Sequence, residues 1–213
     1  MTETPKYTVV KQDGSIELRQ YPAYIKAEVE VSSGSMRQAV YQGFNVLAGY
    51  IFGSNMKSEK ISMTTPVVAA PSKDTAFEDI STFTEQATMT EVGRKNGQGG
   101  YTVAFIMPAE YKIETLPKPK DETIRFISLP PHRAAAIRTS GYFADGKFES
   151  AKGKLSAWLL KEKLETEGSF AAAGYNPPWV PGFMRRNEVM IRIKAEETQS
   201  QGEPSDQRLS ADQ

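Results

Sequence analysis

The chain has few side chains suited to chemistry. Among its 213 residues there is one histidine, His132, and no cysteine, which removes disulfide staples, thiolate nucleophiles and zinc sites of the cysteine type. A Ser-His-Asp triad would have to use His132, which lies between Pro131 and Arg133 where a turn is expected. No Gly-x-Ser-x-Gly elbow accompanies it, since Ser140-Gly141 alone is not one. P-loop, Rossmann and His-Glu-x-x-His signatures are missing too. Nucleophilic hydrolysis is therefore disfavoured and a role other than catalysis is expected, although 26 acidic residues leave general acid and base chemistry open.

Two other groupings carry more. Arg185 and Arg186 directly follow a stretch containing Trp179, Val180, Phe183 and Met184. Flat apolar contact beside paired guanidiniums suits an apolar ligand with an anionic edge. Lys57 and Lys60, after the first helix, offer the same charge, and the alternative for all four cations is an ordinary solvated surface position. Glu188 sits among Asn187, Val189 and Ile191 in what reads as the final strand. Strand alternation puts it either inside, as an unusual buried carboxylate, or outside and paired with Arg186 or Arg192.

These residues need elements to hold them. Alternating runs predict strands over Ile16 to Tyr21, Tyr24 to Val31, Met63 to Ala70, Phe77 to Glu91, Tyr101 to Met107, Ile124 to Leu129, Arg133 to Arg138, Ala171 to Tyr175 and Asn187 to Ile193. Gly93 to Gly100 reads as a hairpin loop. Ser35 caps a predicted helix with Met36, Ala39, Val40, Phe44, Leu47, Ala48 and Ile51 at spacings of three and four, and Gly53 stops it. A second helix is predicted from Gly146 to Glu167, with Phe148, Ala151, Leu155, Trp158 and Leu159 on one face. With one strand more in the first half, the order strand, strand, helix, strand, strand is written twice, an α+β pattern in which two halves pair into one antiparallel barrel with the helices outside.

The helices differ in charge. Nine charged residues decorate the second, whereas the first carries only Arg37 and shows Tyr41, Asn45, Gly49 and Tyr50 where charges are expected. Either a ligand, a partner subunit or a loop of the same chain covers that surface. Gln38 to Met56 is uncharged, but its glutamines, asparagine and glycines make it a globular helix rather than a membrane span.

Overall, 26 basic residues balance 26 acidic ones, against nucleic-acid binding, which needs a basic surplus to displace counterions. The stretch 194–213 holds two cations and five carboxylates, a net of −3, and no aromatic or β-branched apolar residue. It is expected to be an acidic disordered tail behind a folded body spanning 1–193. The first residues, Met1 to Lys6, lack the basic and apolar regions of a signal peptide, so a cytoplasmic protein is expected.

Specific strings then bear on family. Ile16-Glu-Leu-Arg followed by Tyr21-Pro-Ala-Tyr24, Lys60-Ile-Ser-Met-Thr-Thr-Pro-Val67, Phe105-Ile-Met-Pro108, Leu116-Pro-Lys-Pro119, Ser140-Gly-Tyr142, and Ala173-Gly-Tyr-Asn-Pro-Pro-Trp179 followed by Arg185-Arg-Asn-Glu-Val189 resemble the SOUL haem-binding family from about Tyr7 to Ile193. The resemblance implies a distorted eight-stranded antiparallel β-barrel built from a duplicated ββαββ-type unit and flanked by two α-helices. It also implies reversible, non-covalent binding of haem or a related tetrapyrrole, as carrier, buffer or sensor. Transferred by position, the ring would rest on Phe44, Leu47, Ala48 and Ile51 of the first helix and on Trp179, Val180, Phe183 and Met184; the charge of its propionates adds Arg185 and Arg186 at the rim.

In some relatives a histidine is proposed as iron ligand where this chain has Gln20. That leaves the metal ligand open: Tyr41, Tyr50, Met36, Met56, Met63 and Met184 have suitable chemistry, but methionine there is commonly core filling, and weak or open axial ligation is expected. Duplicated barrels of this kind also resemble ligand-sensing domains of bacterial multidrug-responsive regulators, in which an interior glutamate receives cationic aromatic compounds. By that resemblance Glu188 marks an alternative site for planar or cationic molecules. An enzyme acting on haem is the remaining alternative, and the oligomeric state is open.

Overall fold

The computed structural model describes residues 3–72, 99–141, 145–176 and 180–195. Nine strands and two α-helices follow one another as β1 (Thr8–Asp13), β2 (Ile16–Tyr21), β3 (Tyr24–Ser33), α1 (Met36–Ile51), β4 (Val67–Pro71), β5 (Gly99–Ile106), β6 (Arg125–Leu129), β7 (His132–Ser140), α2 (Asp145–Lys161), β8 (Thr166–Gly174) and β9 (Arg186–Ile193). All strands join one sheet in the order β1-β2-β7-β9-β8-β4-β5-β3-β6, each pairing antiparallel.

Without β1 that order is symmetric about the β4·β8 pair. The second strands of the two repeats, β3 and β7, flank β5 and β9, and each accepts the first strand of the other repeat: β2 pairs with β7, and β6 with β3. The connections make the sheet curl. Only Pro22-Ala23 separates β2 from β3, and only Pro130-Pro131 separates β6 from β7, yet these partners stand far apart in the strand order. Three Cα steps of ~3.8 Å reach about 11 Å, so the two ends of the sheet must bend toward each other.

The α+β class is as expected, but the barrel does not close through hydrogen bonds. Among the described residues β1 and β6 are edges, and prolines at both corners withhold donors. β1 is an addition to the expected set; every residue in it is exposed, so it has no alternation to detect, and it is held by its ladder to β2. The expected strand Phe77 to Glu91 and most of the Gly93 to Gly100 loop lie outside the described residues, as does the tail beyond Ala195.

Both helices cover one face of the sheet. Ser35 caps α1, its hydroxyl accepting from the Gln38 N–H at 3.3 Å, and Gly53 follows at φ +113°. Met36, Ala39, Gly43, Leu47, Ala48, Tyr50 and Ile51 are its buried residues, and the core they join includes Val29, Val31, Val103 and Phe105. Gly43 lets the helix approach closely, because a Cβ there would stand 2.5 Å from that of Val103. The second helix stops earlier than expected, at Lys161. Lys163 takes a left-handed φ of 56° and the Leu164 N–H returns to the Leu159 carbonyl, so Glu167 belongs to β8 instead.

Candidate functional site

The sheet face away from the helices encloses a cavity of about 550 Å³. Strand alternation creates it: Ala27, Val29 and Val31 turn to the core, while Lys26, Glu28 and Glu30 turn to the cavity. Small residues leave the space, with Ala70, Ala104, Ala134 and Ala171 in its wall beside Val68, Ile106, Ile127, Leu129 and Met190. Charges in the wall are paired: Lys26 with Glu28 at 2.6 Å, Arg192 with Glu167 at 2.5 Å, and Arg125 with Glu30. Tyr7, Tyr21, Tyr24, Tyr175 and His132 add an aromatic lining.

Glu188 points inward and is fully buried. Arg19 Nη1 and Nη2 donate to its two oxygens at 2.6 and 2.9 Å, Arg186 Nε and Nη2 donate to Oε1 at 3.0 and 2.7 Å, and the Tyr175 hydroxyl donates to Oε2 at 2.7 Å. Burial alone would raise its pKa; the hydrogen bonds and charge of Arg19, with those of Tyr175 and Arg186, outweigh this and hold the carboxyl below the usual carboxylate range. Burial likewise opposes the charge on Arg19, but the Glu188 partner leaves its guanidinium more firmly protonated than usual. Arg19 also donates to Glu17 at 2.7 Å and lies over the Tyr7 ring at 4.3 Å, and Arg186 lies over Tyr175 at 4.2 Å. Both guanidiniums are thus occupied, and the carboxylate has no uncompensated charge to offer a cation. Of Arg185 and Arg186, only Arg186 reaches this cluster; Arg185 Nε donates to the Val180 carbonyl at 2.7 Å.

His132 is not in the turn but opens β7, opposite Tyr21. Its ring is half-buried, stacked on Tyr21 at 5.5 Å and 16°, tilted against Tyr24 at 5.5 Å, and lines the cavity. Its Nδ1 lies 2.9 Å from the Pro130 carbonyl oxygen. Burial lowers its pKa, the Pro130 carbonyl acts the other way and Arg192 adds to the lowering. Gln20 sits on the neighbouring pair, its amide donating to the Tyr21 and His132 carbonyls at 3.2 Å each. It pins the corner between β2 and β7.

The expected surface divides. Leu47, Ala48 and Ile51 belong to the core, and Phe44 is half-buried with its ring edge on Phe105 at 5.4 Å. The exposed side of α1 carries Tyr41, Gln42 and Asn45 instead. Phe183 and Met184 are open to solvent, 81% and 63% exposed, in a 3-10 turn over Gly182–Met184, and Val180 is half-buried. Trp179 lies outside the described residues. Of the substitute ligands, Met36 is in the core and the Tyr50 hydroxyl donates to the Pro117 carbonyl at 2.9 Å. Sequence reasoning missed the cavity; small residues at its strand positions, Ala134 and Ala171 among them, were its signal.

Among the described residues no helix is long and apolar enough to cross a membrane, and no three His, Asp or Glu side chains gather as a metal site. The family model described as SOUL heme-binding protein matches residues 2–192. Heme-binding protein 2 of Homo sapiens is 28% identical over 189 residues, covering 88% of this chain and 82% of that protein. Heme-binding protein 1 of Xenopus laevis is 27% identical over 181 residues, 84% of each. Among solved structures, the EcmrR C-terminal domain superposes with a TM-score of 0.57 at 9% identity, covering 88% of this chain and 98% of that one. A hydrolase encoded by lin2189 from Listeria innocua does so at 0.53 and 8%, covering 84% and 92%. At such identities these two likenesses concern the fold alone.

Proposed function

The chain belongs to the SOUL heme-binding protein family, and from that membership we propose that it binds haem or a related tetrapyrrole, reversibly and without covalent attachment, as a carrier, buffer or sensor in a cytoplasmic setting. The observation that carries this reading is the extent of the family match, residues 2–192, with relatives named as heme-binding proteins aligned over more than four-fifths of the chain.

The cavity supports a seat for the ring. Its volume of about 550 Å³ lies within the ~300–1,000 Å³ of small-molecule sites. Its alanine and aliphatic wall offers apolar contact worth ~0.8 kcal/mol per buried CH₂. When bound, an iron porphyrin would supply an open coordination position; the chain's own residues would bury its faces and exclude water, and Lys26, Arg125 and Arg192 would meet its carboxylates by exchanging their present partners Glu28, Glu30 and Glu167. A second seat is favoured by the exposure of Phe183 and Met184, the loop half of the expected surface. Leu47, Ala48 and Ile51 are in the core, which leaves the half-buried Phe44 as the helical residue of that surface with area still open. Glu188 as a receptor for cationic molecules is disfavoured by its two guanidinium partners.

Titration of the purified protein with haemin, followed at the Soret band, tests the function. Saturation near one equivalent is expected; no saturable binding refutes the reading. Phe183→Ser with Met184→Ser separates the seats, leaving affinity unchanged for the cavity and weakening it for the loop.

A further inference from the structure

We propose that His132 is the axial ligand to haem iron, offering Nε2 from the cavity wall; this rests on the tetrapyrrole reading above with the ring seated in the cavity. Four observations meet on this one ring. The first is position: His132 lines the cavity at the start of β7, where its pairing with Tyr21 sets its side chain on the cavity face. The second is the tautomer. A carbonyl oxygen can only accept, so the contact of 2.9 Å between Nδ1 and the Pro130 oxygen puts the ring proton on Nδ1. In the neutral ring the lone pair is then on Nε2, and metal-ligating histidines are oriented by this kind of outer hydrogen bond.

The third is that Nε2 has no hydrogen-bond partner among the described residues: His132 makes its Nδ1 contact and two ring contacts. The fourth is rigidity. Tyr21 stacks on the imidazole and Tyr24 tilts against it, while Gln20 holds the His132 carbonyl from the adjacent strand. The ring is therefore held in place before any ligand arrives. One imidazole is a sparse donor set for a bare cation but suits an iron whose four equatorial positions are filled by a macrocycle.

The position is distinct from the one that sequence comparison singles out. Gln20 neighbours Tyr21 on β2, so alternation turns it to the face opposite the cavity. The histidine absent at 20 is not replaced there; the donor stands across the ladder and on the inner face.

The experiment uses the full 213-residue protein, with His132→Ala and His132→Gln, each checked for folding by its thermal transition. Haemin and metal-free protoporphyrin IX are titrated in parallel, and the ferrous haem complexes are examined by resonance Raman for the iron–imidazole stretch. The expected result is an iron–imidazole band in the wild type, lost in both variants and restored to His132→Ala by added imidazole, with metal-free protoporphyrin binding all three proteins alike. An unchanged band in His132→Ala or His132→Gln overturns the assignment while leaving tetrapyrrole binding intact. Failure of the wild type to bind either porphyrin removes the underlying reading and this inference with it.

Discussion

Replacing Arg19 by methionine probes the buried cluster most directly. Arg19 is 2% exposed and Glu188 is fully buried, and their two hydrogen bonds are 2.6 and 2.9 Å long. The substitution fills much of the guanidinium's stem volume but leaves Glu188 inside the sheet with one fewer cation. Removing one partner of a buried pair costs about 3–5 kcal/mol. Arg186 and Tyr175 still donate to the carboxylate, so the loss should sit at the low end, roughly 3 kcal/mol. For a chain of this size that lowers Tm by about 6–12 °C, at ~2–4 °C per kcal/mol. Denaturant unfolding of wild type, Arg19→Met, Glu188→Gln and the double variant completes a cycle. The double variant should be more stable than the sum of the singles predicts, by ~1 kcal/mol or more, because neutralising Glu188 removes the penalty of leaving its charge unpaired. A loss under ~1 kcal/mol for Arg19→Met, or strict additivity, would refute the idea that these charges are held together in a dry interior.

Acid sensitivity should follow the same carboxylate. Its folded pKa is depressed, so its contribution is present above the unperturbed value of 4.5 and is lost as pH falls through the folded value; Tm measured downward from 4.5 should fall less steeply in Glu188→Gln than in wild type. Gly43→Ala should cost about 1–3 kcal/mol through overpacking, since its new methyl would meet Val103 at 2.5 Å, and Val103→Ala should recover part of that loss in urea unfolding. Leu47→Ala, at a fully buried site, should destabilise by ~2–5 kcal/mol while the surviving folded protein binds haemin unchanged. Phe183→Ser, at a site 81% exposed, should alter stability by no more than ~0.5 kcal/mol.

The helix α1 was legible because a cap, an apolar spacing and a terminal glycine all agreed, and Ser35 and Gly53 hold those roles. The same spacing that identifies a helix also identifies its core face. Leu47, Ala48 and Ile51, named as ligand contacts by positional transfer from the family, lie on that core face, because packing and ligand burial select the same residue types. Lys163 gave no warning that it would end α2 in a left-handed conformation, since lysine is not a residue that favours it. Glu188 was placed by alternation only as one of two options, and its inward direction came from its register with Arg138 and Ala173. The two prolines that precede His132 predict a turn there. The turn ends one residue earlier, and tertiary pairing with Tyr21 brings the ring to the cavity.

The crossed pairing of β2 with β7 and β6 with β3 makes the two repeats mutually dependent. Each half supplies the strand that completes the other, so an isolated half would present β3 or β7 with a bare edge and surrender its own first strand to nothing. A second copy of that half would satisfy both needs at once. The duplicated chain is in this sense the tethered form of a strand-exchanged dimer, and the linker between β5 and β6 turns an encounter between molecules into an encounter within one. Severing the chain there should yield fragments that are individually unstable yet reassemble when mixed, with a rate that depends on their concentration.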